Sequence, residues 1–195
     1  MLRLSMLIDD YLPVYDVSEH HEADLRVPPD VAFASARGLN LRHSPLSTLL
    51  FLIRGVPHLL RGKARLTRDL GLQQFLEAGF TILEEDPGTE LVLGAVGRFW
   101  QLTSGITPID ADEFVGFATP GYCKAVMNLR VEPDGAGSRL VTETRVLATS
   151  DGARRKFRLY WTMIGPFSAL IRLEMLRSIK READRLIVPT PTTPP

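Results

Sequence analysis

The sequence predicts an α+β domain, an antiparallel sheet closed by one long C-terminal helix, and three observations carry the prediction. Residues 123–131 and 138–149 alternate apolar and polar side chains with the two-residue period of a strand, and only PDGAG at 133–137 joins them, a link too short for a parallel crossover. Over 151–186, Phe157, Tyr160, Trp161, Ile164, Phe167, Leu170, Ile171, Leu176, Ile179, Ala183 and Leu186 recur at three- and four-residue steps, the spacing of a helical face. Asp86-Pro87-Gly88 stands between two β-prone runs, FTILEED and ELVLGAVGRFW, which makes a hairpin.

In chain order, residues 1–16 read as an N-terminal extension ahead of a single domain over 17–186. Val17 to Val27 alternates as a strand, and Pro28-Pro29-Asp30 stops it before VAFASARGL, a short helix ended by Gly38. Leu46–Leu60 and Leu66–Leu76 carry apolar residues at helical steps, so a helical insert is expected over about 40–77. Gly94 and Gly97 fall inside the hairpin's second strand, where they allow bending or close approach. FVGFA precedes GYCKAVMNLRVE, a strand expected to cover a core with Cys123, Ala125, Met127, Leu129 and Val131 and to turn Lys124, Asn128, Arg130 and Glu132 outward. Thr149 or Ser150 can cap the long helix, with Asp151 in its first turn. Gly165-Pro166 should kink or split that helix, because proline lacks the backbone donor. The tail 187–195, rich in Pro and Thr, has nothing to pack.

With 195 residues and 45% hydrophobic side chains, the chain can bury one sizeable core. Its 23 basic and 23 acidic residues leave no net field to steer it toward nucleic acid. The distribution is uneven: no acid lies between Asp30 and Asp69, while Arg37, Arg42, Arg54, Arg61, Lys63, Arg65 and Arg68 do. Cys123 is the one cysteine, so no internal disulfide forms, and a reducing cytoplasm fits. Asp9 and Asp10 interrupt the apolar start, so no export signal is expected. The run PLSTLLFLIRGVPHLL holds Arg54, Pro57 and His58, and is too short and too polar to span a bilayer.

The opening ADLRVPPDVAFA and the terminal ARRKFRLYWTMIGPFSALIRLEMLRSIKREADRL, in this order around an antiparallel meander, resemble the START/Bet v 1-like (SRPBCC) superfamily, over residues 17–186. The resemblance implies a helix-grip fold, a curved antiparallel sheet of about six strands wrapped around the C-terminal helix with short helices between the first two strands. It also implies a cavity between sheet and helix that in this superfamily often holds an apolar small molecule, a lipid, sterol or polyketide-like compound. The basic segment is longer than the usual helix pair there and is expected to cover the cavity mouth.

Neither stretch is a catalytic signature, and the polar residues divide by face. In EHHEAD, His20, Glu22 and Asp24 share one face of a strand while Glu19, His21 and Ala23 share the other, so the two histidines cannot ligate one metal; the first set is expected to be solvated. GVPHLLRGKA lacks the spacing and the Ser or Thr of a phosphate loop, and there is no G-x-S-x-G or H-E-x-x-H. TETR at 142–145 admits two readings. With Leu140, Thr142, Thr144 and Val146 inward, Glu143 and Arg145 are a weak surface pair; with the other face inward, they stand in the cavity as an acid and a base. Cys123 reads as a small buried hydrophobe.

The cavity candidates are therefore Phe99, Trp100, Phe114, Phe117, Tyr122, Glu143, Arg145, Tyr160, Trp161 and Ile164, with no metal and no cofactor expected. Three classes of function follow. The first is a protein that binds or carries an apolar small molecule. The second is a cyclase- or dehydratase-type enzyme using one acid or base in the same cavity. The third is a peripheral membrane or interaction module acting through the basic, leucine-rich segment 42–68. Oligomeric state is not legible.

Overall fold

The computed structural model describes residues 6–38, 72–77, 79–101 and 105–187. The helices expected over 46–60 and the cover expected from 42–68 lie outside the described residues, as do 66–71 and the tail 188–195. The elements are α1 (Leu7–Tyr11), β1 (Val17–Leu25), α2 (Pro29–Arg37), α3 (Leu72–Glu77), β2 (Thr81–Asp86), β3 (Glu90–Gly97), β4 (Ile106–Thr107), α4 (Ala111–Gly116), β5 (Cys123–Asp134), β6 (Gly137–Ala148) and α5 (Asp151–Ile187).

All pairings are antiparallel, in the order β1-β6-β5-β3-β2 with β4 paired to β3. Each tight hairpin joins neighbours, and the crossing from β1 to β6 brings the first and last strands together. Two glycines shape β3. A Cβ at Gly97 would strike the Gly105 carbonyl oxygen, whose own bond to the Arg98 amide is 2.5 Å. A Cβ at Gly94 would lie 2.6 Å from Leu83, where β2 bulges between Ile82 and Glu84.

The register assigns the two faces. Leu91, Leu93, Ala95, Cys123, Ala125, Met127, Leu129, Leu140, Thr142, Thr144 and Val146 share the face covered by α2 and α5. There, Leu25, Phe33, Leu129, Leu140, Met175, Leu176 and Ile179 form one apolar cluster. Ala125, Val146, Ala148, Ala153, Phe157 and Phe99 form another.

The opposite face departs from expectation. Lys124, Asn128 and Arg130 do face away from α5, but they are buried, as are Glu143 and Arg145. The reason is the N-terminal segment. Ile8 and Leu12 pack with Leu83, Val92, Val96, Phe114 and Val126, so 6–16 and α4 roof this side of the sheet. Both faces of β5 and β6 are therefore covered, and the polar groups trapped there pair. Asn128 Nδ2 donates to Glu90 Oε1 at 2.7 Å, the Leu7 amide donates to Glu90 Oε2 at 3.0 Å, and Arg145 lies 2.8 Å from Glu143 and 2.7 Å from Asp9.

Ser150 caps α5, its hydroxyl accepting from the Ala153 amide at 3.3 Å. The helix is not split at Pro166. Proline removes the donor for the Thr162 carbonyl, but Thr162 and Pro166 are both exposed, so water can satisfy that group.

Candidate functional site

Strand alternation puts Glu19 and His21 on the inner face of β1, opposite Thr144 and Thr142 of β6. Arg172, just past the midpoint of α5, points down onto them. Its Nε donates to Thr144 Oγ1 at 3.1 Å and its Nη1 donates to Glu19 Oε2. His21 Nε2 lies 4.0 Å from Glu19 Oε2, is buried, and has no hydrogen-bond partner. An acid, an imidazole, a guanidinium and a hydroxyl thus converge between the sheet and the long helix, in a layer otherwise built from the two apolar clusters.

Burial governs their charges. It pushes the Glu19 carboxyl above its usual range, against the pull of Arg172. It pushes the guanidinium down, against the pull of Glu19. Arg172 is only 7% exposed and remains cationic, since a guanidinium keeps its proton in proteins. His21 is held below the usual imidazole range by burial first and then by Arg172 and His20, so it is neutral near neutral pH.

Further along the inner face, on Val17 and Val146, pack the aromatics at the start of α5. Phe157 stacks on Trp161 at 5.4 Å and meets Phe99 edge-on at 6.3 Å and Tyr160 at 6.0 Å. Trp161 is half-buried, its indole lying over Gly165, instead of fully buried against the sheet as its place in the stripe suggests. The geometry of α5 explains this. Arg154 reaches Asp16 and Arg172 reaches Glu19. About 27 Å of helix separates the two arginines, against about 10 Å of extended chain between their partners. The middle of α5 is not laid flat along β1, and Tyr160, Trp161 and Ile164 are correspondingly half-buried. Trp100, Lys156, Leu159, Tyr160 and Met163 line an open, mostly apolar depression of about 230 Å³ there. A second, of about 310 Å³, lies at the β5–β6 turn, bounded by Asp24, Arg26, Asp134 and Ser138.

Of the ten residues expected to line a cavity, the structure brings Phe99, Trp100, Tyr160 and Trp161 together around Phe157, with Ile164 one turn further along α5. The other five do not join them. Phe114, Phe117 and Tyr122 pack on the opposite face with α1 and α4; Phe117 meets Tyr122 edge-on at 5.6 Å and Lys124 Nζ stands 4.9 Å from the Phe114 ring. Glu143 and Arg145 also point there, neither toward α5 nor into solvent. Leu140 and Val146 do face the helix, but the outward pair is sealed by residues 6–16. His20 and Glu22 are solvated as expected, with side chains 50% and 55% exposed. Cys123 is fully buried, its thiol pushed up to about 12 by burial. Among the described residues, no group of three or more His, Cys, Asp or Glu could hold a metal ion.

No protein-family model matches the chain, and no curated protein matches it in sequence. Solved structures do. TTHA0849 from Thermus thermophilus matches with TM-score 0.36 and 10% identity, over 88% of this chain and 100% of its own. Ara h 8.0201 matches with TM-score 0.28 and 12% identity, over 87% and 98%. The Zhui aromatase/cyclase from Streptomyces sp. R1128 matches with TM-score 0.31 and 14% identity, over 88% and 96%. The chain has a helix-grip fold. That statement stands on its own sheet order and long helix; likenesses this remote carry nothing about activity.

Glu19, His21, Thr144 and Arg172 were not among the residues expected to line a cavity. The signal for the first two was present: once His20 and Glu22 are assigned to solvent, alternation sends Glu19 and His21 inward. Arg172 carried none, since one arginine within a helix that is also rich in exposed arginines looks like any other.

Proposed function

We propose that this protein binds an apolar small molecule bearing one polar group, in the space between α5 and the inner face of the sheet. The apolar part would lie against Phe99, Trp100, Phe157, Tyr160 and Trp161, and the polar group would meet Glu19, His21 and Arg172. One observation carries the reading: a guanidinium, a carboxylate and an imidazole with an unpartnered nitrogen stand inside an otherwise apolar layer. A buried ion pair is rarely the most stable filling for such a place, because desolvating two charges offsets their attraction. Partly satisfied polar groups beside aromatic surface are what a ligand's polar end requires.

Both tryptophans of the chain, Trp100 and Trp161, sit at this place, so their emission reports on it. Titration with an apolar fluorophore carrying a single sulfonate or carboxylate is expected to quench that emission saturably. The Glu19→Gln/Arg172→Met double variant, which removes both charges together, should weaken binding about tenfold, the effect of losing one charge-assisted hydrogen bond. Unsaturable quenching, or equal affinity in the double variant, would overturn the reading.

A second reading, a cyclase- or dehydratase-type enzyme, draws on the same imidazole. His21 is neutral near neutral pH and lies 4.0 Å from a carboxylate, which suits proton transfer to or from a bound molecule. Turnover of a polyketide-like substrate lost in His21→Gln, with binding retained, would favour it.

A further inference from the structure

We propose that the outward side of α5 docks on an anionic lipid surface. Large apolar side chains in a soluble fold are normally covered, yet Leu159, Met163, Phe167 and Leu170 are 71%, 64%, 46% and 43% exposed. Their spacing of four, four and three residues puts them in one row along the helix. The row is not flanked at random. Arg155 and Lys156 lie one turn before Leu159 on the same side and are exposed, and Arg158 is exposed beside them. Past Leu170 the same side carries Glu174, whose carboxylate pairs with Arg177 at 3.8 Å and Arg181 at 2.7 Å, so, among the described residues, the cations that flank the row without such a partner on that side are those at its N-terminal end. From Gly152 to Leu173 there is no acidic residue.

This pattern, an apolar row from Leu159 to Leu170 with a group of cations at its N-terminal end and no carboxylate between them, fits phosphate headgroups above and acyl chains below. The shape agrees. At the basic end the row deepens into the depression lined by Trp100, Lys156, Leu159, Tyr160 and Met163, with an aromatic pair and a lysine at its edge. Trp and Tyr favour the boundary between headgroups and hydrocarbon, and a lysine stem can lie along apolar surface with its ammonium on a phosphate. A second copy of the chain packed in parallel suits the face less well, because that orientation brings Arg155, Lys156 and Arg158 against the same residues. The contact lies on the membrane, not across it: among the described residues no helix is long and apolar enough to span one.

The test is co-sedimentation of the full chain with vesicles of phosphatidylcholine alone and of phosphatidylcholine with about one third phosphatidylserine, at low and high salt. Binding is expected on the anionic vesicles only and should weaken with salt. Lys156→Ala should reduce partitioning about fivefold, the roughly 1 kcal/mol that one cation contributes near such a surface. Met163→Glu should abolish it. Both positions are exposed, so far-ultraviolet circular dichroism should be unchanged. Equal binding to neutral vesicles, or undiminished binding by Met163→Glu, would overturn the proposal. So would a concentration-dependent dimer, seen by light scattering, that Met163→Glu dissolves while no vesicle binding is found.

Discussion

Replacing Arg172 with methionine keeps most of the aliphatic stem of the side chain and removes its charge, leaving Glu19 facing the inner layer alone. Removing one member of a buried ion pair costs about 3–5 kcal/mol. Glu19 keeps some contact with water, its side chain being 20% exposed, so the expected loss is lower, about 2–3 kcal/mol near neutral pH. The loss has a direction in pH. In the variant, burial still raises the folded-state pKa of Glu19 above its ordinary 4.5, and the lowering pull of Arg172 is gone. A carboxyl with a raised folded pKa favours the folded state fully below the unfolded value, and that contribution disappears as pH rises through the folded one. Urea denaturation of Arg172→Met should therefore show a larger deficit at about pH 8 than at about pH 5. The Glu19→Gln/Arg172→Met double variant should return to within about 1 kcal/mol of the wild type. A single-variant loss below about 0.5 kcal/mol, a deficit independent of pH, or a double variant as unstable as the single would refute a buried, coupled pair.

Other outcomes follow from the same structure. Phe157→Ala, at the centre of the aromatic group, should cost about 3–5 kcal/mol, whereas Trp161→Ala, half-buried, should cost about 1–2; equal losses would show that the tryptophan lies deeper. His21 should titrate by NMR below the usual 6.5, and because its folded pKa is lowered, stability should fall as pH drops through 6.5, a fall that His21→Gln removes. Arg145→Met breaks the contacts to Asp9 and to the Leu12 carbonyl at 2.7 and 3.2 Å, so the amides of 6–16 should exchange faster while those of 125–131 stay protected. Native Cys123 should resist alkylation by iodoacetamide, its thiol being buried and pushed up to about 12.

Period-two alternation in β1, β5 and β6, the Asp86-Pro87-Gly88 turn and the helical stripe after Ser150 are local signals, and each survives in the structure because burial and backbone preference agree. The division of faces was equally legible: Leu140 and Val146 turn toward α5, as one reading of TETR had it. What covers the other face was not. Nothing in MLIDDYLPVYD indicates that Ile8 and Leu12 fold back over Val92 and Val126, residues eighty or more positions away. For that reason Lys124 and Asn128 looked like solvated positions, and Glu143 and Arg145 like either a surface or a cavity pair; all four are buried, Asn128, Glu143 and Arg145 linked by hydrogen bonds and Lys124 donating to the Val115 carbonyl. The same long-range pairing hid the site. Glu19 and Arg172 gain meaning only when the first strand and the last helix meet, and no local period encodes that meeting. Pro166 shows the converse, a strong local break signal overruled where both it and Thr162, whose carbonyl it leaves without a donor, are exposed.

Native mass spectrometry of the purified full chain bears most directly on the central claim. The expected spectrum contains protein plus a discrete small-molecule mass, or acquires one on incubation with an amphipathic ligand panel, and the Glu19→Gln/Arg172→Met variant loses that adduct while keeping its folded charge distribution. No adduct from any source, or an adduct that the double variant retains in full, would contradict a ligand held at Glu19, His21 and Arg172.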